Sequence, residues 1–350
     1  MRWPWQRRGS RDRLVVSWSD QTFAFVRARA KGDGTFSVVQ LGVERQGNDT
    51  LEFFAARLEA LKLKGLEACV MLRPEQYQFI QIPAPAVPAD ELKSAARYQI
   101  RDMVDTHLDD LTIDIMHLGD GQQKNNPQVF VTAAKTAHIR TVMGLAATLE
   151  WPVTVIDILE TCQRNLQTAL AKKDGMAERA EAALLINDGQ HALLTISVNG
   201  ELYYTRRLDL PEGFLSMVWT QTAPVIAEAP DGYTPVTEYV PDYAGTASGL
   251  GGASVTQTDA DRAQRLVVEV QRSLDLWDRS WSSLPLAGLR IYAGDRSAEL
   301  ATWLGRETGQ TVTAMQLDAL FTGLAEQPEL ERNYCVPLLG LLLRDETSSV

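Results

Sequence analysis

One alternation of secondary structure is written twice in this chain of 350 residues, and it limits the folds open to it. Residues 13–29, LVVSWSDQTFAFVRARA, read as two β-branched and aromatic strands bent at Ser19-Asp20, and 36–44 as a third. An amphipathic helix over 50–64 follows, with Phe53, Leu58 and Leu61 among its expected buried positions, and then strands over 67–73 and 76–83. The block 183–207 repeats the theme with strands divided by turns at Gly189 and Gly200. Residues 128–139 read as a strand running into a helix, and 151–158, 289–295 and 311–315 as strands. Helices are expected over 138–149, 160–173, 213–228, 259–278 and 297–308, with a closing helix over 333–344. Two such blocks joined near 174–180 describe two α/β domains.

Composition narrows the function classes. A formal net charge of −11 disfavours nonspecific nucleic-acid binding, which needs a basic surface. Cys69, Cys162 and Cys335 stand apart in apolar surroundings with no CxxC pair, as expected of buried thiols in a reducing compartment. The four histidines show no metal-ligand spacing. The longest apolar run, Val336–Leu343, is eight residues and contains Pro337 and Gly340, well short of the ~20 a membrane helix needs. A soluble chain that reaches any membrane through a partner is the expectation. The start, MRWPWQRRGSRDR, is a basic tail in which Trp3 and Trp5 stand among Arg2, Arg7, Arg8, Arg11 and Arg13. Asp105, Asp109 and Asp110 read as a solvated acidic turn, and no GxSxG, HExxH or GxxxxGK[ST] motif occurs.

Residues 82–118, IPAPAVPADELKSAARYQIRDMVDTHLDDLTIDIMHL, are distinctive in order rather than chemistry. Pro83, Pro85 and Pro88 enforce extended geometry, and Asp90 is an N-cap or first-turn acid. Leu92, Ala95, Ala96, Ile100 and Met103 recur at helical spacing, and Leu111, Ile113 and Ile115 at strand spacing. With Pro83, Pro88, Glu91, Leu92 and Asp114 as landmarks, the stretch resembles the inserted subdomain of the PilM-type proteins of type IV pilus assembly. The resemblance leans toward the MSHA (agglutinin) pilus proteins (MshI) and the cytoplasmic part of the type II secretion protein GspL. The strand–helix–strand ending at Asp157, the hairpin GELYYTRRL with Gly200 and Arg206, EVQRSLDLW and VPLLGLLLR extend it over nearly the whole chain.

The resemblance implies an α/β, actin-like (ribonuclease-H-like) two-domain ATPase fold with a small insert in its first half. The expected division is a basic tail over 1–12 and a first domain over 13–175, with the insert at about 76–125. A second domain over 180–331 would carry a mobile loop at 229–258, and a helix over 332–346 would return to the first domain.

An actin-like nucleotide site needs glycine turns for the phosphates and carboxylates for Mg²⁺. The first hairpin of the family carries Asp, Gly and Lys where this chain has Ser17, Ser19 and Ala24, with Asp20 displaced along the turn. In the second, Asn187-Asp188-Gly189 keeps the glycine and shifts the acid by one residue, hence to the other face. In the third, Gly294-Asp295 replaces a glycine pair. Ser17, Ser19, Asp20, Asn187, Asp188, Gly189, Gly294 and Asp295 are the candidate nucleotide site, and the substitutions imply a degenerate one, with ATP and Mg²⁺ not required. The resemblance further implies a cytoplasmic scaffold at the inner membrane. It would capture the N-terminal tail of a bitopic PilN-type partner and pass assembly state to the cytoplasmic motor ATPase. Tyr77, Phe79, Tyr98 and Arg101, on the strand and helix of the insert, are the candidate peptide contacts. A working actin-like ATPase and a type II secretion module are the opposing readings.

Overall fold

The computed structural model describes residues 12–19, 21–121, 126–186, 189–219 and 259–344. Most of the basic tail, the loop expected at 229–258, and the site residues Asp20, Asn187 and Asp188 lie outside the described residues.

The first block builds a mixed sheet. Strands β1 (Asp12–Trp18), β2 (Thr22–Ala30) and β3 (Phe36–Arg45) form an antiparallel meander, followed by helix α1 (Leu51–Glu59) and strand β4 (Ala68–Leu72). β4 lies parallel to β1 on its other side. Next come β5 (Tyr77–Pro83), α2 (Ala89–Gln99), β6 (Leu111–His117), β7 (Gln128–Lys135), α3 (Thr136–Thr148), β8 (Val153–Ile158) and α4 (Leu159–Lys173). The second block has β9 (Ala180–Ile186), β10 (His191–Val198), β11 (Glu201–Asp209), α5 (Asp259–Ser280), β12 (Leu286–Tyr292), α6 (Ser297–Thr308) and β13 (Val312–Ala314). A two-residue β14 (Phe321–Thr322) and α7 (Glu329–Leu342) close the described chain.

The larger sheets run β14-β3-β2-β1-β4-β8 and β11-β10-β9-β12-β13. Apart from β14, both place three antiparallel strands beside two parallel ones in the same order, so the repeat in sequence is a repeat in topology. The first strand of each set is central and almost wholly buried, which is why VVSW and AALLI read as apolar runs rather than alternating ones.

Five layers result. Leu14, Val16, Phe23 and Phe25 pack on one side of the first sheet with Phe54 and Leu58 of α1 and Val142 and Leu145 of α3. On its other side Val15, Ala24 and Val26 meet α4 and α7, which also cover Ala183, Leu185 and Leu193 of the second sheet. The far side of the second sheet, with Ala182, Leu184 and Ile196, packs on α5 and α6. α4 is therefore sandwiched, and its buried amides bond the second sheet: Gln163 Nε2 donates to the carbonyls of Ala183 (2.9 Å) and Leu193 (3.0 Å).

A third, small sheet runs β5-β7-β6, from Tyr77 to Lys135. β7 is its middle strand, so the small sheet extends past the expected limit near 125. Its two faces are used differently. Ile82, Ile113, Val129 and Val131 pack on Leu92, Ala96 and Ile100 of α2, while Phe79, Met116 and Phe130 turn toward the core of the second half.

Two local expectations are corrected, and the alternative left open at Asp90 is decided. In α1 the buried residues are Phe54, Ala55 and Leu58; Phe53 is 67% exposed, and Leu61 lies beyond the helix end. Asp90 sits in the first turn of α2, whose N-cap is Pro88 with no side-chain bond. The helix expected from 213 is a single 3-10 turn, Phe214–Ser216, after which Met217 is extended; residues from 220 are outside the described range. No helix among the described residues is long and apolar enough to cross a membrane.

Candidate functional site

In open α/β sheets, ligands bind beyond the carboxyl ends of the parallel strands. Here those ends are Ser17-Trp18 of β1, Leu72-Arg73 of β4, Asp157-Ile158 of β8, Ile186 of β9 and Tyr292-Ala293-Gly294 of β12. They bring the described ones among the candidate nucleotide residues, Ser17, Ser19, Gly189, Gly294 and Asp295, to the same ends of the two sheets, and side chains connect the elements around them.

Ser17 points to the same side of the sheet as Val15 and is fully buried. Its Oγ accepts a 2.6 Å bond from Nε of Arg73. Arg73 is itself 7% exposed, and its guanidinium lies over the ring of Tyr334 at 4.1 Å. Its Nη2 is buried with no hydrogen-bond partner. The turn is braced from beneath: Gln76 Nε2 donates to the carbonyl of Trp18 (2.9 Å), while Gln76 Oε1 accepts from the Arg73 amide (2.8 Å). Ser19 lies in the turn, its amide donating to the carbonyl of Thr22 at 3.0 Å.

The opposite wall is filled from α7. Gly294 has φ +60°, and a Cβ there would lie 2.6 Å from Nδ2 of Asn333. A side chain there would have to displace Asn333 from a left-handed backbone position that favours glycine. Asn333 Oδ1 accepts from the hydroxyl of Tyr292 (2.6 Å), whose burial raises its phenol above the ordinary range. Asp295 is paired with Arg332. Gly189, with φ +73°, faces Leu215. Arg296 donates to the carbonyls of Leu215 (2.6 Å) and Met217 (2.8 Å) and lies over Trp219 at 3.8 Å.

The acids at these strand ends are occupied. Asp157 Oδ2 is paired with Arg344 and its Oδ1 bonds Thr161. Glu160, 1% exposed at the start of α4, accepts from Tyr77 Oη and from Nη2 of Arg207 (2.7 Å). Arg207 reaches across from β11, lies over the Tyr77 ring at 5.0 Å and donates to the carbonyl of Pro74 (3.3 Å). This knot ties the β4–β5 connection and α4 to the second half. Burial, then the Glu160 charge, pushes the Tyr77 phenol well above its usual value.

A magnesium nucleotide is what an actin-like cleft is built to hold, and the described residues do not suit one. A divalent cation needs free oxygen donors. Instead a guanidinium sits on Ser17, each of Asp157, Glu160 and Asp295 is neutralised by an arginine, and Asn333 occupies the approach to Gly294. Among the described residues no group of three or more His, Cys, Asp or Glu is placed to hold a metal. Arg73, Asn333 and Tyr334 were not legible as site residues. The only sequence signal for Arg73 is a charge that ends an apolar strand just before a proline.

The four expected peptide contacts do not converge. Tyr77 is 5% exposed and fully engaged, and Phe79 stacks on Phe130 at 4.8 Å facing the second half. Both are on the inner face of the small sheet, Tyr77 buried and Phe79 half-buried. Tyr98 is 72% exposed on α2, which covers the other face, and the exposed Arg101 beside it bonds Asp102 at 3.3 Å.

No family model matches this chain, and no curated protein sequence matches it. Solved structures do resemble it. A chain of the PilM-PilN type IV pilus biogenesis complex shares 14% identity and superposes with a TM-score of 0.61, over 95% of this chain and 97% of its own length. A Bacteroides thetaiotaomicron protein of actin-like ATPase fold and unknown function shares 8% identity over 96% and 97%, with a TM-score of 0.47. The cytoplasmic domain of EpsL, an inner-membrane component of the type II secretion system of Vibrio cholerae, shares 12% over 74% and 95%, with a TM-score of 0.41. At such identities the likeness is one of fold. The chain has the actin-like fold, with mixed sheets duplicated in its two halves.

Proposed function

We propose that this chain is a cytoplasmic, actin-like scaffold of a type IV pilus machine of the MSHA type. It would bind the cytoplasmic tail of an inner-membrane PilN-type partner and relay assembly state to the motor ATPase. The observation that carries this reading is the fold correspondence with the PilM-PilN complex chain over 95% of the sequence. The cleft adds the second part of the proposal, that the scaffold is a pseudo-ATPase. What supports it is that Arg73, stacked on Tyr334, bonds Ser17, and that Asn333 stands against Gly294.

For the partner peptide, the outer side of α2 is the surface that remains of the expected contacts. Tyr98 is exposed there, and Arg101 and Met103 are exposed on the 3-10 turn, Arg101–Met103, that follows the helix expected to run on to Met103. A large exposed aromatic beside a cation suits an anchor residue on a peptide.

The test is calorimetric titration of the purified chain, first with Mg·ATP and then with a synthetic N-terminal tail of a PilN-type protein. The expected result is no heat and no thermal shift with Mg·ATP up to about millimolar, and micromolar binding of the tail. Tyr98→Ala should weaken the tail at least about tenfold, as loss of an anchor does, with unfolding temperature unchanged. Micromolar binding of Mg·ATP would refute the pseudo-ATPase reading, and tail binding indifferent to Tyr98→Ala and Arg101→Glu would remove the α2 surface.

A further inference from the structure

Two arginines are buried among the described residues, and their charges are met differently. Arg290, 7% exposed, lies against the carboxylates of Glu181 (2.9 Å) and Asp174 (2.7 Å). Arg73, equally buried, is paired with no carboxylate. The acids at the neighbouring strand ends, Asp157 and Glu160, have arginines of their own. Arg73 gives its Nε to the Ser17 hydroxyl and its face to the Tyr334 ring, and both partners are uncharged. A hydroxyl and a ring orient a guanidinium without neutralising it, and an unpaired charge in the interior is unfavourable. The end edge of the fork is unused: Nη2 is buried without a partner, and Nη1 has no protein partner either. The arginine is also held firmly. Gln76 ties the Arg73 amide (2.8 Å) to the carbonyl of Trp18 (2.9 Å), so the side chain leaves a braced turn at the carboxyl end of β4. Open α/β sheets receive ligands at such ends.

We propose that the Nη1–Nη2 edge of Arg73 is a binding site for a small phosphate-class anion, held without a metal ion. The guanidinium fork matches two oxygens of a phosphate, so one anion satisfies both nitrogens and neutralises the charge. Because Ser17, Tyr334 and Gln76 already fix the arginine, little ordering is left to oppose binding. The inference deepens the pseudo-ATPase reading and rests on it in one respect: with the nearby acids paired to arginines, a side-chain cation and not Mg²⁺ meets the anion. Free phosphate and the terminal phosphate of a metal-free nucleotide share this chemistry, and separate titrations distinguish them.

The experiment follows the unfolding temperature of the full chain by scanning calorimetry in EDTA. Inorganic phosphate is raised to about 10 mM against sodium chloride of equal ionic strength, and ADP is titrated in parallel. Phosphate should stabilise saturably, with an apparent Kd of about a millimolar or below, and chloride should not. Arg73→Lys keeps the charge and loses the fork, and it should weaken the response at least about tenfold. Arg73→Met should abolish it; if that variant does not fold, the Arg73→Lys titration decides the same question. Phosphate acting no better than chloride would overturn the proposal, as would equal responses from the parent and the variants. So would a response to ADP with none to phosphate, which would assign the contact to the nucleoside. Phosphate binding together with micromolar binding of Mg·ATP would refute the pseudo-ATPase reading and leave this site standing. No response to either would remove this site and leave that reading standing.

Discussion

Gly340→Ala is the substitution for which local and tertiary reasoning disagree in sign. Gly340 lies inside α7, and alanine is the better helix former by about 1 kcal/mol, so propensity alone predicts a gain. The packing predicts a loss. A Cβ at 340 would lie 2.0 Å from the carbonyl oxygen of Cys162 on α4 and 2.5 Å from its carbon. Both partners are backbone, so no rotamer change relieves the clash, and the helices must separate by roughly 1.4 Å to reach ordinary contact. A gap of that size forfeits about half of each dispersion contact facing it. About fifteen such contacts from each of two leucines, at ~0.15 kcal/mol apiece, then lose roughly 2 kcal/mol. The bond from Asn165 Nδ2 to the Gly340 carbonyl, now 3.0 Å, is stretched as well, at about 1 kcal/mol. Net destabilisation of about 2 kcal/mol remains after the propensity gain, within the usual range for overpacked cores. Urea unfolding followed by circular dichroism measures it. Gly144→Ala is the control, because Gly144 is exposed in α3 with nothing within 4 Å of its Cβ position, and it should stabilise by about 0.5–1 kcal/mol. If Gly340→Ala is as stable as the parent, or both substitutions shift the midpoint equally, the close approach of α7 to α4 is refuted.

Other outcomes follow from the same coordinates. The hydrogen bond from Arg29, with that from Arg27 and against the opposing effect of burial, holds the Asp12 carboxyl below its ordinary range. The unfolded chain therefore binds this proton more readily, so the contribution is complete above about pH 4 and is lost as pH falls toward the lower folded value. Asp12→Asn should flatten that part of the acid limb in unfolding midpoints measured at successive pH, and an unchanged limb would refute it. Burial pushes the Cys335 thiol up to about 12 and raises that of Cys162, whereas Cys69 is half-buried. A thiol-disulfide reagent at pH 8 should titrate one thiol in the native protein and three after denaturation; three rapid reactions in the native state would contradict the packing. Phe54→Ala should cost about 3–5 kcal/mol in chemical denaturation and Phe53→Ala under about 0.5, because Phe54 is fully buried and Phe53 is not. Equal costs would mean α1 is rotated.

Much of the fold was legible because its signals are local. Period-two runs marked the meander β1–β3 and the hairpin β10–β11, and glycine turns separated them. The order of elements in the two blocks then restricted the topology, and the duplicated strand order followed. The phase of each element was harder to read. Phe53 and Phe54 are adjacent and equally apolar, and only the sheet beneath α1 decides which one is buried. The alternation of β5 correctly separates Tyr77 and Phe79 from Ile80 and Ile82. It does not say that Tyr77 packs on Leu72 and Ile158 beneath Arg207 and Phe79 on the core of the second half, while the other pair faces α2.

The sequence by itself determined most of the elements and their order, because these depend on residues near one another in the chain. The tertiary structure decided which distant side chains meet at the strand ends. Arg73 comes to Ser17 from 56 residues away, Arg207 to Glu160 from 47, and Gly340 to α4 across some 175. Such contacts exist only once two sheets close on the shared helices α4 and α7. Charge pairing and close backbone approach across that distance leave no period in the sequence, so the filled cleft is a property of the packed chain.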